Sequence, residues 1–596
     1  MEAQRQVRGL GSNNPDIPHP ASITRPIVSE EWDYVSSSGY RVSEHMINEP
    51  FPGKESFKII MAGCGPAGID FLHHAVKEFG AEGDSGVELI CFEKNHDVGG
   101  TWLENRYPGC ACDVPSASYQ FPWRPNPDWT KYYSPSKEIW EYFKEIVEEE
   151  GMMKYIRLRT AVIRAEWDEG RSKWLITVQE RDTADAVVDT WVEESDLFLT
   201  GTGILKQSAW KWPVIPGLMS FKGKLFHTAR YDEGYDLRAK RVAVIGSGSS
   251  GVQTVAAVYN DADRLYTWVR TPTWITAGFG PKYAGTGGSN FSYDEEQKKL
   301  WRDDPEKYRT YRKMIEDELN SRFRFVLRNS KESDDANEFS YKEMTSKLGD
   351  NQRLKDTIIP TNFNVGCRRA TPGNGYLEAL VDPDGKEVEV DVIICATGFD
   401  TSFRPRFPII GLDKKDLATR WAREPDAYVA VSVPNVPNYF TYTGPYGPLA
   451  QGSVLPLLTL YSNYFLAVIR KMRKEHIRRL SPKESAAAAF REHAKVYLRR
   501  TAWADPCSSW FKQGRKDGNI VMWPGSRLAF FDAMREPKFE DYNIEYWSGN
   551  RWGLYPDMEK RKETNTEDPC LLGKVDINGL LPCTPGYSSV HAGARP

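Results

Sequence analysis

One hydrophobic pattern occurs twice along the chain. Phe57-Lys-Ile-Ile-Met-Ala-Gly63 is a short apolar run closed by glycine, and Val87-Glu-Leu-Ile-Cys-Phe-Glu93 follows a helix's length later. Apolar runs of this length, bounded by turn residues, predict buried strands, with a helix between them from about 66 to 79. Arg241-Val-Ala-Val-Ile-Gly246 and Leu265-Tyr-Thr-Trp-Val-Arg270 repeat the arrangement, with a helix expected from about 251 to 259. Strand, glycine turn, helix, strand is the pattern of a parallel sheet. Strand-like runs at 196–200 and 390–396 each end in a Thr-Gly pair and mark where the chain should cross between the two units. From about 293 to 356 the pattern turns charged and helical, with helices expected at 295–302, 307–318 and 341–347. The apolar stretch 454–469 is interrupted by Thr459, Ser462 and Asn463 and is too short for a bilayer, so a buried helix is expected there.

The glycines at the two turns carry candidate chemistry. Gly63-x-Gly65-x-x-Gly68 lies between strand and helix: the first glycine permits the tight turn, the second admits a pyrophosphate, and the third lets helix pack on strand. The helix start adds free N–H groups and a positive dipole end. Glu93, closing the next strand, supplies a carboxylate for a ribose diol. Gly246-x-Gly248-x-x-Gly251 repeats the loop, but its second strand ends in Arg270. A carboxylate there would repel a 2′-phosphate, whereas a guanidinium binds it in a bidentate way. The first loop is therefore expected to hold FAD and the second NADPH.

Composition narrows the class. A chain of 596 residues needs more than one core. Its formal charge of −4 and lack of a long basic run speak against nucleic acid and anionic membrane as partners. The start shows no basic segment leading into an apolar one, so no secretory signal is read and a cytoplasmic protein is expected. Nine cysteines lie scattered without a ligand-like cluster, which suits reduced thiols and no metal. Cys110 and Cys112 read as packing residues. The expected fold is α/β, with two Rossmann-like, three-layer dinucleotide-binding domains and a helical insertion. The FAD-binding domain would take 57–205 and 391–563, the NADP-binding domain 206–280 and 365–390, and the insertion 281–364. An N-terminal extension (1–56, with short structure around 30–40) and a loose tail (564–596) complete the chain.

Three further segments carry a family resemblance. Gly99-Gly-Thr-Trp102-Leu-Glu-Asn-Arg-Tyr107-Pro108-Gly109-Cys-Ala-Cys-Asp113 resembles the long fingerprint of type I Baeyer–Villiger monooxygenases. Phe221-x-Gly223-x-x-x-His227-x-x-x-Tyr231-Asp232 is similar to the family's shorter fingerprint, with Tyr231 where a Trp is usual. Cys367-Arg368-Arg369, followed by Gly375-Tyr376, resembles the segment carrying the family's active-site arginine. With the Ala396-Thr397-Gly398 turn and Ser509-Trp510, the resemblance spans roughly 57 to 546, and its style is that of fungal members.

The resemblance implies an enzyme that inserts one oxygen atom from O2 next to a ketone carbonyl, giving an ester or lactone, on a polyketide or terpenoid intermediate of fungal secondary metabolism. Arg369 and Asp113 are its implied catalytic pair: a fixed cation that cannot be deprotonated, and the acceptor that holds it. The FAD site would comprise Gly63, Gly65, Pro66, Ala67, Gly68 and Glu93, then Gly100, Thr101, Trp102, Asp113 and Tyr119. The NADP site would comprise Gly246, Ser247, Gly248, Ser249, Ser250, Gly251 and Gln253 from the second loop and its helix. Arg270, Thr271, Arg368 and Trp510 would complete it, with Ala111, Cys112 and Asp113 from the fingerprint. His227 is a hinge or positioning residue. Substrate walls are expected from the insertion and from 445–458. The rival readings are an N- or S-oxygenating flavin-containing monooxygenase, an NADPH oxidase, and a non-catalytic flavin/NADP redox sensor. Oligomeric state is not legible.

Overall fold

The computed structural model describes residues 56–554 apart from 81–85, 205–209, 211, 381–387 and 450. The expectations for 1–55 and for the tail at 564–596 fall outside the described residues. The chain divides into two compact units, 53–546 and a second formed by 1–52 with 547–596. In the second, only 547–554 are described, and they include the short turn Arg551–Leu554.

Unit 53–546 is built on two parallel sheets. The first has the strand order Tyr439–Thr441, Leu197–Thr200, Phe57–Ala62, Val87–Phe92, Ile156–Arg157. Its central strand alternates between two cores, as the period of two requires. Ile59 and Met61 face the helix Pro66–Phe79, and the long helix Leu455–Lys474 packs against that helix. Ile60 and Ala62 face an antiparallel meander of Thr160–Asp168, Lys173–Arg181 and Val187–Ser195, where Trp167 and Trp174 are fully buried. Both faces are covered, so the strand reads as continuous apolar sequence. The meander had no counterpart in the sequence reading. It makes this domain three layers: meander, parallel sheet, helices.

The second sheet has the order Arg264–Trp268, Arg241–Ile245, Val392–Cys395, Lys224–His227, again all parallel. Helix Ser249–Val258 follows its glycine loop. This order corrects one boundary. Val392–Cys395 was assigned with 391–563 to the first domain, yet it pairs on both sides inside the second sheet. Val392 and Ile394 are fully buried there, which only a central strand of that sheet provides. The chain leaves the sheet after this strand, at the Thr397-Gly398 pair.

The insertion forms helices Glu295–Asp303, Pro305–Ser321, Lys331–Lys347 and Gln352–Ile358. Asp294, Asp304, Ser330 and Asn351 cap their N-termini by accepting from Gln297, Lys307, Ser333 and Leu354 amides. The Ser330 cap explains why the third helix starts ten residues before the expected 341. Among the described residues no helix is long and apolar enough to cross a membrane.

The thiol expectation needs a second correction. Cys367 and Cys507 form a disulfide, with Cα atoms 6.2 Å apart and 140 residues between them in sequence. Nothing in cysteine spacing signals a pair that tertiary folding brings together. Cys64, Cys91, Cys110, Cys112 and Cys395 are free and buried.

Candidate active site

Both glycine loops open into one cavity of about 1560 Å³. Every residue assigned above to the catalytic pair or to a cofactor borders it except Gly68 and Gly251. Those two serve packing. A Cβ on Gly68 would lie 2.4 Å from the Gly63 carbonyl oxygen, and one on Gly251 would lie 2.0 Å from that of Gly246. Each helix therefore sits directly on its own turn, and Gly63 (φ +100°) and Gly246 (φ +126°) make those turns in a region closed to other residues.

The first loop has the donor set a dinucleotide needs. Gly65 faces the cavity opposite the backbone of Gly100, 3.4 Å from where its Cβ would stand. Glu93, 3% exposed, accepts from the amides of Cys64 (2.8 Å) and Asn95 (2.9 Å). These bonds fix the carboxylate at the strand end, while burial pushes its pKa above the usual range. Trp102 donates its indole N–H to the Tyr119 hydroxyl at 3.0 Å, so the two rings meet edge to face.

The second loop differs in charge. Nothing stands within 4 Å of the position a Gly248 Cβ would take, which leaves its backbone amides open. Arg270 and Arg368 both border the cavity, and neither meets a carboxylate among the described residues. Burial, and then the nearby Arg270 charge, pulls the Arg368 guanidinium below its ordinary pKa. Arg270 is exposed and Arg368 half-buried, so the two form a positive wall that can receive an anion. Trp510 borders the same cavity from a short turn, Trp510–Lys512, and packs on Phe511.

Between the loops lies the pair Arg369 and Asp113. Both guanidinium nitrogens donate to both carboxylate oxygens, Nη2 to Oδ1 at 2.6 Å and Nη1 to Oδ2. The side chains are 27% and 16% exposed, and the open part borders the cavity. Burial works against the Arg369 charge, and Asp113 outweighs it, so the pKa is held above the ordinary value. Cys112 and Tyr119 stand close by, and burial pushes the pKa of both upward, so both are neutral neighbours.

Sequence reasoning missed Phe279, whose ring lies 5.0 Å below the Arg369 guanidinium. Its amide donates to the Asp113 carbonyl (3.3 Å) and its carbonyl accepts from the Tyr133 hydroxyl (2.8 Å). The signal was an aromatic between two glycines: a Cβ on Gly278 would meet that hydroxyl at 2.2 Å, and Gly280 has φ +69°. The insertion, expected to wall the substrate region, lends the cavity no lining residue. Leu449, Gly452, Val454 and Leu458 do, and the insertion backs them through Leu319.

His227 lies off the cavity at the end of its strand, 1% exposed. Its Nδ1 accepts from the Ala229 amide (3.1 Å), so Nε2 carries the proton toward Thr397 Oγ1 (3.1 Å), at the crossing point between domains. Trp210 stacks on its ring at 4.5 Å, and burial lowers its pKa to about 4. It is thus a neutral ring bonded to Thr397, where the chain leaves the second sheet. Tyr231 packs on Phe226 away from the large cavity.

Comparisons with known proteins show the family and the fold. Residues 56–410 match the family model of flavin-binding monooxygenase-like proteins. The chain belongs to that family. It is a flavoprotein monooxygenase of the Baeyer–Villiger type. An FAD-binding monooxygenase, tazF, of Aspergillus terreus is 38% identical, covering 86% of this chain and 94% of the relative. A Baeyer–Villiger monooxygenase of Streptomyces coelicolor is 29% identical over 77% of this chain and 88% of its own. The crystal structure of cyclohexanone monooxygenase from Rhodococcus sp. Phi1 bound to NADP+ shares the fold, with a TM-score of 0.68 and 21% identity over 83% of this chain and all of that one.

Proposed function

We propose that this monooxygenase binds FAD at the Gly63 loop and NADPH at the Gly246 loop, and inserts one oxygen atom from O2 beside a ketone carbonyl. The product is an ester or lactone. The substrate is a polyketide or terpenoid intermediate of fungal specialised metabolism, a reading supported by the fungal FAD-binding monooxygenases among its relatives. The observation that carries the reaction is the Arg369–Asp113 pair facing the cavity between the two loops.

Gly63, Gly65, Glu93, Thr101 and Trp102 would hold the flavin, and Gly248, Arg270 and Arg368 the nicotinamide coenzyme. Bound there, FAD supplies oxygen activation with electrons drawn from NADPH. The chain's own part is positional and electrostatic. Arg369 keeps its charge at any working pH, so it stabilises negative charge developing on the ketone oxygen without giving up a proton. Asp113 and Phe279 fix its plane from the edge and the face. Neutral Tyr119 and Cys112 add no competing anion. Trp510, on a short turn over the cavity, would exclude water.

The test is Arg369→Ala in purified flavoprotein. Flavin binding and NADPH oxidation should persist while ester formation is lost. Ester formation at near the wild-type rate would remove Arg369 from the role.

A further inference from the structure

The Cys367–Cys507 disulfide joins two segments that meet at the coenzyme wall. Cys367 directly precedes Arg368 and Arg369, and Cys507 precedes Ser508, Ser509 and Trp510. Both cysteines are fully enclosed, at 0% and 2% exposure, among Phe363 and Trp274. Next to the covalent link, Arg368 Nε donates to the Ser508 carbonyl at 3.0 Å. That bond sets where the Arg368 guanidinium points, and Ser508 is the residue following the disulfide cysteine.

The segment around Trp510 has little structure of its own, a single three-residue turn. Its place is set by attachments. Asp505 accepts from Asn364 through the amide (2.8 Å) and the side chain (2.9 Å), and from Arg328 Nε at 2.9 Å. Lys512, 2% exposed, donates to the Asp505 carbonyl at 2.5 Å and the Lys516 carbonyl at 2.9 Å. These bonds anchor the start of the segment. The disulfide carries the anchorage on to Ser508.

We propose that the Cys367–Cys507 disulfide is a positioning device for the coenzyme site: it fixes the Ser508 carbonyl, which aligns Arg368 on the 2′-phosphate beside Arg270. The inference rests on the NADPH reading of the second loop. A disulfide serving stability alone would affect NADPH and NADH equally. A positioning disulfide affects the coenzyme that carries the phosphate.

The experiment uses the full-length flavoprotein. Peptide mapping without reductant should recover the peptides of Cys367 and Cys507 joined, and separate, unlinked peptides would overturn the proposal. The double variant Cys367→Ser with Cys507→Ser keeps the Asp505 anchorage. Its KM for NADPH in flavin reduction should rise at least fivefold, and its KM for NADH less than twofold, at unchanged flavin content. An equal rise for both coenzymes, or none for either, would refute it. Should the double variant fail to fold, Cys367→Ala with Cys507→Ala, which puts no unpaired hydroxyl into the enclosed apolar site, takes its place. The same selective rise is expected, and an unchanged KM for NADPH refutes the proposal. Arg270→Ala separates the two levels: if it discriminates between coenzymes and the disulfide variants do not, only the positioning role falls.

Discussion

Replacing Arg270 by alanine should change coenzyme preference more than it changes anything else. Arg270 and Arg368 border the cavity beside the second glycine loop, and no carboxylate among the described residues neutralises either. Burial first, and repulsion from Arg270 second, lowers the Arg368 pKa. A phosphate between them relieves that repulsion and accepts charge-assisted hydrogen bonds, each worth roughly 1.5–3 kcal/mol net. Losing one guanidinium should thus weaken NADPH by roughly 10- to 100-fold, since about 1.4 kcal/mol is a factor of ten. NADH has no 2′-phosphate and should lose about threefold at most, within the scatter of a surface substitution. The assay is anaerobic flavin reduction across a range of either coenzyme, in wild type and variant. High salt should narrow the wild-type preference, because phosphate contacts at a partly open site are screened. Equal losses for NADPH and NADH would show that Arg270 supports the fold of the loop and does not read the phosphate.

Three other perturbations probe separate parts of the account. Arg369→Ala removes the cation proposed to stand beside the reacting carbonyl and should lower ester formation by about 10²- to 10³-fold, measured as product per NADPH consumed; an unchanged ratio would contradict the assignment. Gly65→Val adds a side chain 3.4 Å from the Gly100 backbone and fills space at the first loop, so the purified protein should be colourless; a yellow variant with full flavin content would place FAD elsewhere. His227 is neutral when folded, with its pKa lowered to about 4 by burial. The unfolded state binds a proton that the folded state does not between about pH 6.5 and 4. Stability should therefore fall as pH drops through that window, by up to roughly 3 kcal/mol for this one group. His227→Gln should flatten that part of the Tm-versus-pH curve, and an identical slope would mean that His227 does not carry it.

Much of the molecule was legible because its signals are local. The helix Pro66–Phe79 and both glycine turns come from residues a few positions apart, and the structure places them where the pattern does. Glu93 directly follows its strand Val87–Phe92, whereas Arg270, read in the sequence as the end of the second strand, lies two residues beyond Arg264–Trp268, one position past the equivalent of Glu93. What stayed hidden depends on contacts between distant segments. In the meander, Lys173–Arg181 alternates with period two, a signal the sequence reading passed over, whereas Val187–Ser195 is exposed along most of its length and has no apolar face to read. Val392–Cys395 reads as a strand, but only its two neighbours say which sheet it joins. The disulfide spans 140 residues, and Phe279 reaches Arg369 from a loop with no motif of its own. The fingerprint residues carry the proposal of what the cavity is for; the folded chain shows what holds them.

The central claim is that the Arg369–Asp113 pair, between two dinucleotide sites, serves oxygen insertion into a ketone. Incubating the purified flavoprotein with NADPH, dioxygen and a panel of cyclic and aryl ketones, with mass spectrometry of the products, tests it most directly. The account predicts esters or lactones one oxygen heavier than their ketones, formed by wild type and lost in Arg369→Ala. NADPH consumption matched by hydrogen peroxide, with every ketone recovered unchanged, would contradict it, as would oxygenation confined to nitrogen or sulfur atoms of control substrates.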